Sequence, residues 1–306
     1  MMRHLQLLTR QRPRVIVAEL VVLAAVVLAV IGGWLAPYDP EQPTIDVLAG
    51  PSRTHLLGTD ASGIDVLSVV VAAFRVDVLI AVVSIGISLI AGVGLGALSG
   101  YSFNRSRSAG MSSTIILRAL DLVQSIPVFI LALALVGMAG QSVRNVVIAV
   151  AFVNLPVFAR LTRSAIQGIE HREFVSASRA IGIREFGILR SHVMPNSLDS
   201  TIAYASIAVG GAILLTAGLS FLGAGVKPPT PEWGAEIASG SGYIITGEWW
   251  ISVIPGIVLS TVVLSFALLG DGIRVALQRA HRGGELAEYE PSTFIEESIE
   301  ERIGSA

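Results

Sequence analysis

The chain has 306 residues, of which 53% are hydrophobic and only 14% charged, with a mean hydropathy of +0.71. A soluble domain carries about 25% charged residues. Here the deficit is concentrated in apolar runs of roughly 20 residues, the length that crosses a ~30 Å hydrocarbon core. This excludes an ordinary soluble enzyme and predicts an all-α, polytopic membrane protein, and the absence of cysteine excludes disulfides and thiolate metal sites.

The first apolar run, Val15–Leu35, follows Arg10, Arg12 and Arg14. It is longer than the ~7–15 apolar residues of a secretory signal and lacks a clean small-x-small site, so it reads as an uncleaved span. Five further runs complete a prediction of six transmembrane helices: Val76–Leu98, Ile115–Met138 with Pro127 inside it, Val146–Leu161, Ile202–Leu222 and Trp250–Leu269. Asp65–Phe74 is apolar but short and reads as an interfacial helix. Gly92, Gly96 and Gly100 recur every four residues in the second span, the small-xxx-small spacing that lets helices approach closely in lipid.

Arginine separates the two sides of the bundle. Arg3, Arg10, Arg12 and Arg14 precede the first span, Arg105 and Arg107 lie between the second and third, and Arg163, Arg172, Arg179, Arg184 and Arg190 lie between the fourth and fifth. Arg274, Arg279 and Arg282 follow the sixth. The other side holds only Arg53, Arg75, Arg144 and Lys227. The positive-inside rule then puts both termini in the cytoplasm. The outer segments, Ala36–Arg75 and Gly223–Glu248, are rich in Pro, Gly, Asp and Thr, as loops are. Trp34, Trp233, Trp249 and Trp250 sit at span ends on that side, where indole rings favour the interface.

Three regions follow: an N-terminal part over 1–75, a five-helix core over 76–275, and an acidic cytoplasmic tail over 276–306. The tail carries Glu285, Glu288, Glu290, Glu296, Glu297, Glu300 and Glu301. It reads as solvated chain, with Phe294–Ile303 able to form a short amphipathic helix.

The polar segment 170–196 between the fourth and fifth spans stands out. Glu173–Ile181 is compatible with a helix, and Phe174, Ala177 and Ile181 form one apolar stripe. Gly182 lets the backbone leave that helix. Arg184–His192 can form a second helical stretch, and Pro195 can open the next helix. Ser176-Ala177-Ser178, then Gly182 four positions on, then Val193-Met194-Pro195, resemble the Glu-Ala-Ala docking loop by which ABC importer permeases hold their ATPases. Ser176 stands where that loop has Glu, and Glu173 on the same helix can partly replace it.

The resemblance continues elsewhere. His55–Ser68, with its Gly58-Thr59-Asp60 core, Ser220–Gly234, Trp249-Trp250 with Pro255-Gly256, and Leu269–Arg274 occur in the order seen in the second permease subunit of dipeptide, oligopeptide and nickel importers. The chain is similar to that family over most of residues 11–283. The resemblance implies a type I ABC importer permease fold in the inner membrane of a prokaryote. It implies a homologous permease partner in a heterodimer, two ATP-binding subunits that hold ATP and Mg, and an external binding protein that delivers peptides. Glu173, Phe174, Ser176, Ala177, Ser178, Ala180, Gly182 and Pro195 would form the docking loop. Thr59, Asp60, Lys227, Pro229 and Trp233 would meet the binding protein. Asp121, Gln124, Asn154 and Pro156 are polar or helix-loosening positions that could line the path.

The chain itself carries no catalytic set. Lys227 is its one lysine, and no phosphate loop surrounds it, so that ATP site cannot be built here. His4, His55, His171, His192 and His281 are scattered, which leaves no metal-ligand spacing. Glu19, Asp121 and Asp271 lie near span ends and are expected to pair with Arg14, Arg118 and Arg274. The competing readings are a secondary transporter driven by an ion gradient, which usually carries charge near the membrane midplane, and an ABC importer for nickel chelates or oligosaccharides.

Overall fold

A computed structural model of the protein describes residues 13–101 and 107–288. Arg3, Arg10, Arg12, Arg105 and the possible helix at Phe294–Ile303 lie outside the described residues. The elements run α1 (Pro13–Leu35), α2 (Val66–Gly100), α3 (Arg107–Ser125), α4 (Val128–Ala139), α5 (Val143–Glu170), α6 (Glu173–Ala180), α7 (Glu185–Ile188), a π-helical turn (Leu189–Val193), α8 (Met194–Ser197), α9 (Asp199–Phe221), α10 (Trp233–Ser241), a 3₁₀ turn (Ile244–Thr246) and α11 (Trp250–Glu288). Five helices are long and apolar enough to cross a membrane, and the bent pair α3–α4 makes a sixth if it is one span.

Two of the expected spans change shape. α2 does not begin at Val76. It begins ten residues earlier, at Val66, capped by Asp65, whose carboxylate accepts Ser68 N–H at 2.9 Å. Val66, Val70, Ala73 and Phe74 are buried, so the expected interfacial helix over Asp65–Phe74 is instead the first turns of α2. The third span is not one helix. α3 and α4 meet at 88° across Ile126 and Pro127. Proline offers no N–H and pushes the preceding residue out of the helical region, which ends α3 there.

The glycine stripe works as its spacing predicts. α2 packs along α5, and a Cβ on Gly92 would stand 2.5 Å from Cβ of Phe158. One on Gly96 would stand 2.6 Å from the Ala159 carbonyl, and one on Gly100 3.0 Å from Cα of Arg163. Gly86 and Gly94, on other faces, have open space. Ser88 Oγ reaches across to donate to the Ala151 carbonyl at 2.7 Å. These contacts replace the hydrophobic drive that lipid cannot supply between helices.

At the far end from the arginines, α10 is buried between α2, α9 and α11. Trp233 is fully buried; its indole N–H donates to the Val70 carbonyl at 3.1 Å, and its ring meets Phe74 edge to face at 4.7 Å. It is therefore a core anchor rather than an interfacial indole. Gly234 lets α10 press directly on the Ala217 backbone of α9. Trp250 also turns inward and donates from Nε1 to the Thr59 carbonyl at 3.2 Å. Trp34 stays on the surface, at 85% exposure.

Candidate docking site and family

The segment after α5 folds back under the bundle as a short clamp. α6 begins two residues beyond α5 and ends in a two-bond αL cap. Ile183 N–H donates to the Ser178 carbonyl at 3.2 Å, and Gly182 N–H to the Arg179 carbonyl at 3.0 Å. Gly182 has φ +85°, the left-handed region in which a side chain is strained. Its missing Cβ would meet nothing within 4 Å. Backbone conformation, not crowding, is what calls for glycine here.

The inward face of α6 is not the apolar stripe read from the sequence. Val175 and Ser178 are buried, whereas Phe174 is 40% and Ile181 77% exposed. Ser178 Oγ donates to the Phe174 carbonyl at 2.8 Å, which hides a polar residue at the core-facing position. Val175 joins Ile188, Leu189 and Val193 in a small core against Ala97 of α2, Tyr101 and Ile166 of α5. The apolar stripe thus points away from the chain, beside Phe186, which is 66% exposed. Glu173, Ser176, Ala177, Ala180 and Pro195 are exposed with it.

Charge fastens the same segment. Arg179 Nε lies 3.0 Å from Glu185 Oε1, and its Nη2 lies 3.4 Å from Glu170 Oε1 at the end of α5. Tyr101, just past α2, donates its hydroxyl to Glu185 at 2.5 Å, with the Arg179 guanidinium 6.0 Å from the ring centre. Burial, then the Glu185 carboxylate, pushes the Tyr101 hydroxyl up to about 12. The Arg179 hydrogen bonds hold Glu185 below the usual carboxylate range. One network therefore ties α6 and α7 to the ends of α2 and α5. Tyr101, Glu170 and Glu185 were not singled out from sequence, because they lie up to 84 residues apart in the chain.

The other predicted positions divide. Asp121 pairs with Arg160 of α5 at 2.6 Å, not with Arg118 on its own helix. Asp271 and Arg274 do pair, at 3.6 Å; no Glu19–Arg14 pair forms among the described residues. Gln124 and Asn154 are half-buried, Pro156 is buried, and Asn154 donates to the Val150 carbonyl of its own helix at 2.8 Å. The positions expected to meet a binding protein separate by burial. Thr59 and Trp233 are fully buried and Asp60 is 6% exposed, so they hold the far end together from inside. Asp60 accepts N–H from Ser62 and Ile64 at 2.8 and 2.7 Å, making the turn that follows it. Lys227 and Pro229 are exposed.

Residues 92–283 match the family of binding-protein-dependent transport system inner membrane components. The chain belongs to that family.

The permease is 40% identical over 265 residues to the di/tripeptide transport system permease protein DppC of Pseudomonas aeruginosa, covering 84% of this chain and 85% of the relative. It is 33% identical to the probable D,D-dipeptide transport system permease protein DdpC of Escherichia coli K12, covering 86% of each. It is 34% identical to the glutathione transport system permease protein GsiD of Pectobacterium atrosepticum, covering 86% of this chain and 85% of the relative. Its fold is similar to a chain of the MetNI methionine ABC transporter in inward-facing conformations, with TM-score 0.55 and 20% identity over 68% of this chain and 96% of that one. The permease is thus a transport component of a bacterial inner membrane, in a family that works with a binding protein and an ATPase. The family assignment leaves the ion-gradient carrier without support.

Proposed function

We propose that this permease forms half of the translocation path of an ATP-driven importer for di- or oligopeptides. The observation that carries the reading is its 40% identity, over 84% of its length, to a di/tripeptide permease. A homologous but different permease completes the path as a heterodimer. Two separate ATPase subunits bind ATP and Mg. An external binding protein delivers the peptide, and exposed Lys227 and Pro229 are the positions nearest to hand for its contact. The arginine-rich end of the bundle, with both termini, faces the cytoplasm, in line with the positive-inside rule.

The docking clamp supports the mode of drive. An ATPase surface that covers Phe174, Ala177, Ile181 and Phe186 would bury an apolar stripe that the permease itself leaves open. Force on α6 cannot be absorbed locally, because Val175 and Arg179 fasten it to α2 and α5. The break at Pro127 and the polar group Asp121, Gln124 and Asn154, near Pro156, are where α3, α4 and α5 would line the path. Irregular backbone at membrane depth is tolerated where it is buried in protein or borders water. ATP shifts the two access states only by binding one of them better.

The test is uptake of a radiolabelled dipeptide into proteoliposomes carrying the whole complex and its binding protein. Uptake that requires ATP and the binding protein is expected. Uptake of a nickel chelate or an oligosaccharide, with none of peptide, would overturn the substrate class; uptake driven by an ion gradient without the ATPases would overturn the mode of drive.

A further inference from the structure

Two carboxylates meet in the dry interior at the far end of the bundle. Asp77 of α2 has no exposed surface, and Glu232, the N-cap of α10, is 1% exposed. The Trp233 N–H bond to Asp77 seats Asp77 against the first turn of α10, beside Glu232. Each has one oxygen satisfied by a backbone donor. Trp233 N–H donates to Asp77 Oδ2 at 3.2 Å, and Ala235 N–H donates to Glu232 Oε2 at 2.7 Å. Each has its second oxygen, Asp77 Oδ1 and Glu232 Oε1, buried without a partner.

No cation answers them among the described residues. On α2 the nearest ionisable neighbour is Arg75, which is exposed. On the preceding loop, His55 is engaged with Asp46 and Asp65, and Asp60 faces Glu236 of α10. Lys227, on the segment before α10, is exposed. Thr216 of α9 is neutral and its buried hydroxyl meets no partner, these two oxygens included, and the Ser252 hydroxyl of α11 goes to the Ile237 carbonyl at 3.0 Å. Two negative charges buried beside each other with no cation to answer them cannot both persist. One proton removes one charge and completes both open oxygens as a single O–H···O bond. That count, two open oxygens and one missing donor, is the argument.

We propose that Asp77 and Glu232 hold one proton between them and that this proton latches α10 to α2. Asp77 carries it, receives Trp233 N–H, and donates to the Glu232 carboxylate that caps α10. The latch closes a ring through the first turn of α10, the same turn that buries Trp233. Loss of the proton leaves two buried anions beside each other and loosens α10 against α2, with the Trp233 indole bond to Val70 left to hold it.

Infrared difference spectroscopy of the purified full-length protein in its complex tests this, in a Glu236→Gln background so that Glu236 does not contribute. The C=O band of a neutral carboxylic acid, shifted by deuterium exchange, is expected at neutral pH and is expected to vanish on adding Asp77→Asn. Its persistence after Asp77→Asn, or its absence beforehand, overturns the proposal. Thermal melting supplies the second readout. In the Glu236→Gln background stability is expected to fall at alkaline pH, and Asp77→Asn is expected to flatten that fall, since the amide keeps both hydrogen bonds without titrating. An Asp77→Asn protein that does not fold would mean the charge itself is needed, which also overturns the latch. Melting that rises with sodium against an equal concentration of N-methylglucamine would put a metal cation, not a proton, between the two oxygens.

Discussion

Arg179 grips Glu185 at 3.0 Å across the left-handed turn at Gly182, and so closes α6 and α7 into one rigid piece. The same guanidinium reaches back to Glu170 at the end of α5. Under the proposed docking of an ATPase, a helix held in this way would transmit a push instead of bending.

Replacing Arg179 by Met keeps the aliphatic stem and removes every one of these bonds. With both side chains of the Arg179–Glu185 pair about one third exposed, solvent screens part of the interaction. The loss of stability is expected to be modest, about 1–2 kcal/mol for hydrogen bonds to charged groups. The functional loss is expected to be larger. In proteoliposomes the variant should hydrolyse ATP at near the parent rate and import several-fold less substrate. Equal loss of both activities would show that Arg179 matters for assembly and not for transmission.

Gly182 tests the turn itself. Valine there would sit at φ +85°, which costs about 1–3 kcal/mol for a branched residue, although no neighbour obstructs it. Asparagine tolerates that region better. The expected order of coupling, uptake per ATP hydrolysed, is parent, then Gly182→Asn, then Gly182→Val. A Gly182→Val protein with unchanged coupling would remove the turn from the transmission path.

Much of this was legible in sequence, and the exceptions share a cause. Hydropathy marked the spans because lipid demands long apolar helices. The glycine spacing on α2 marked a face of close helix contact, though not which helix fills it, and Gly182 marked a turn, since both depend on local chemistry. What failed depended on partners distant in the chain. The stripe of Phe174, Ala177 and Ile181 was legible as a period, but that it points away from the chain was not, because periodicity does not say what lies on the apolar side. Thr59, Asp60 and Trp233 looked external because their segments are loop-like, yet all three are buried, with Trp250 and Asp77, from remote helices, bonded to the backbones of Thr59 and Trp233. Asp121 found Arg160 across 39 residues when a same-helix partner stood three residues away.

Gly96 and Gly94 form an internal control on α2. Gly96→Ala would place a methyl group 2.6 Å from the Ala159 carbonyl and 2.7 Å from Thr162 Cβ. Overpacking of this kind costs about 1–3 kcal/mol. Gly94→Ala meets nothing within 4 Å and gains helix propensity. Size-exclusion yield and melting temperature in detergent are expected to drop for Gly96→Ala and to hold or rise for Gly94→Ala. Equal behaviour of the two would contradict the α2–α5 packing described above.

Glu236 gives a pH dependence with a definite sign. Burial, and then the charge of Asp60, pushes its carboxyl from the ordinary 4.5 up to about 8. Across that window the unfolded chain has released the proton while the native state still holds it. Stability from this group is therefore highest below about pH 4.5, falls as pH rises toward about 8, and stays low above it. At ~1.4 kcal/mol per pH unit, the whole window is worth a few kcal/mol. Glu236→Gln removes the dependence. Its melting temperature should trail or equal that of the parent at pH 4.5 and exceed it at pH 8.5, with the difference growing steadily between. A difference between parent and Glu236→Gln that stays constant over the same range would mean that Glu236 ionises normally in the folded protein, and that water or a donor reaches the open oxygen on its carboxyl.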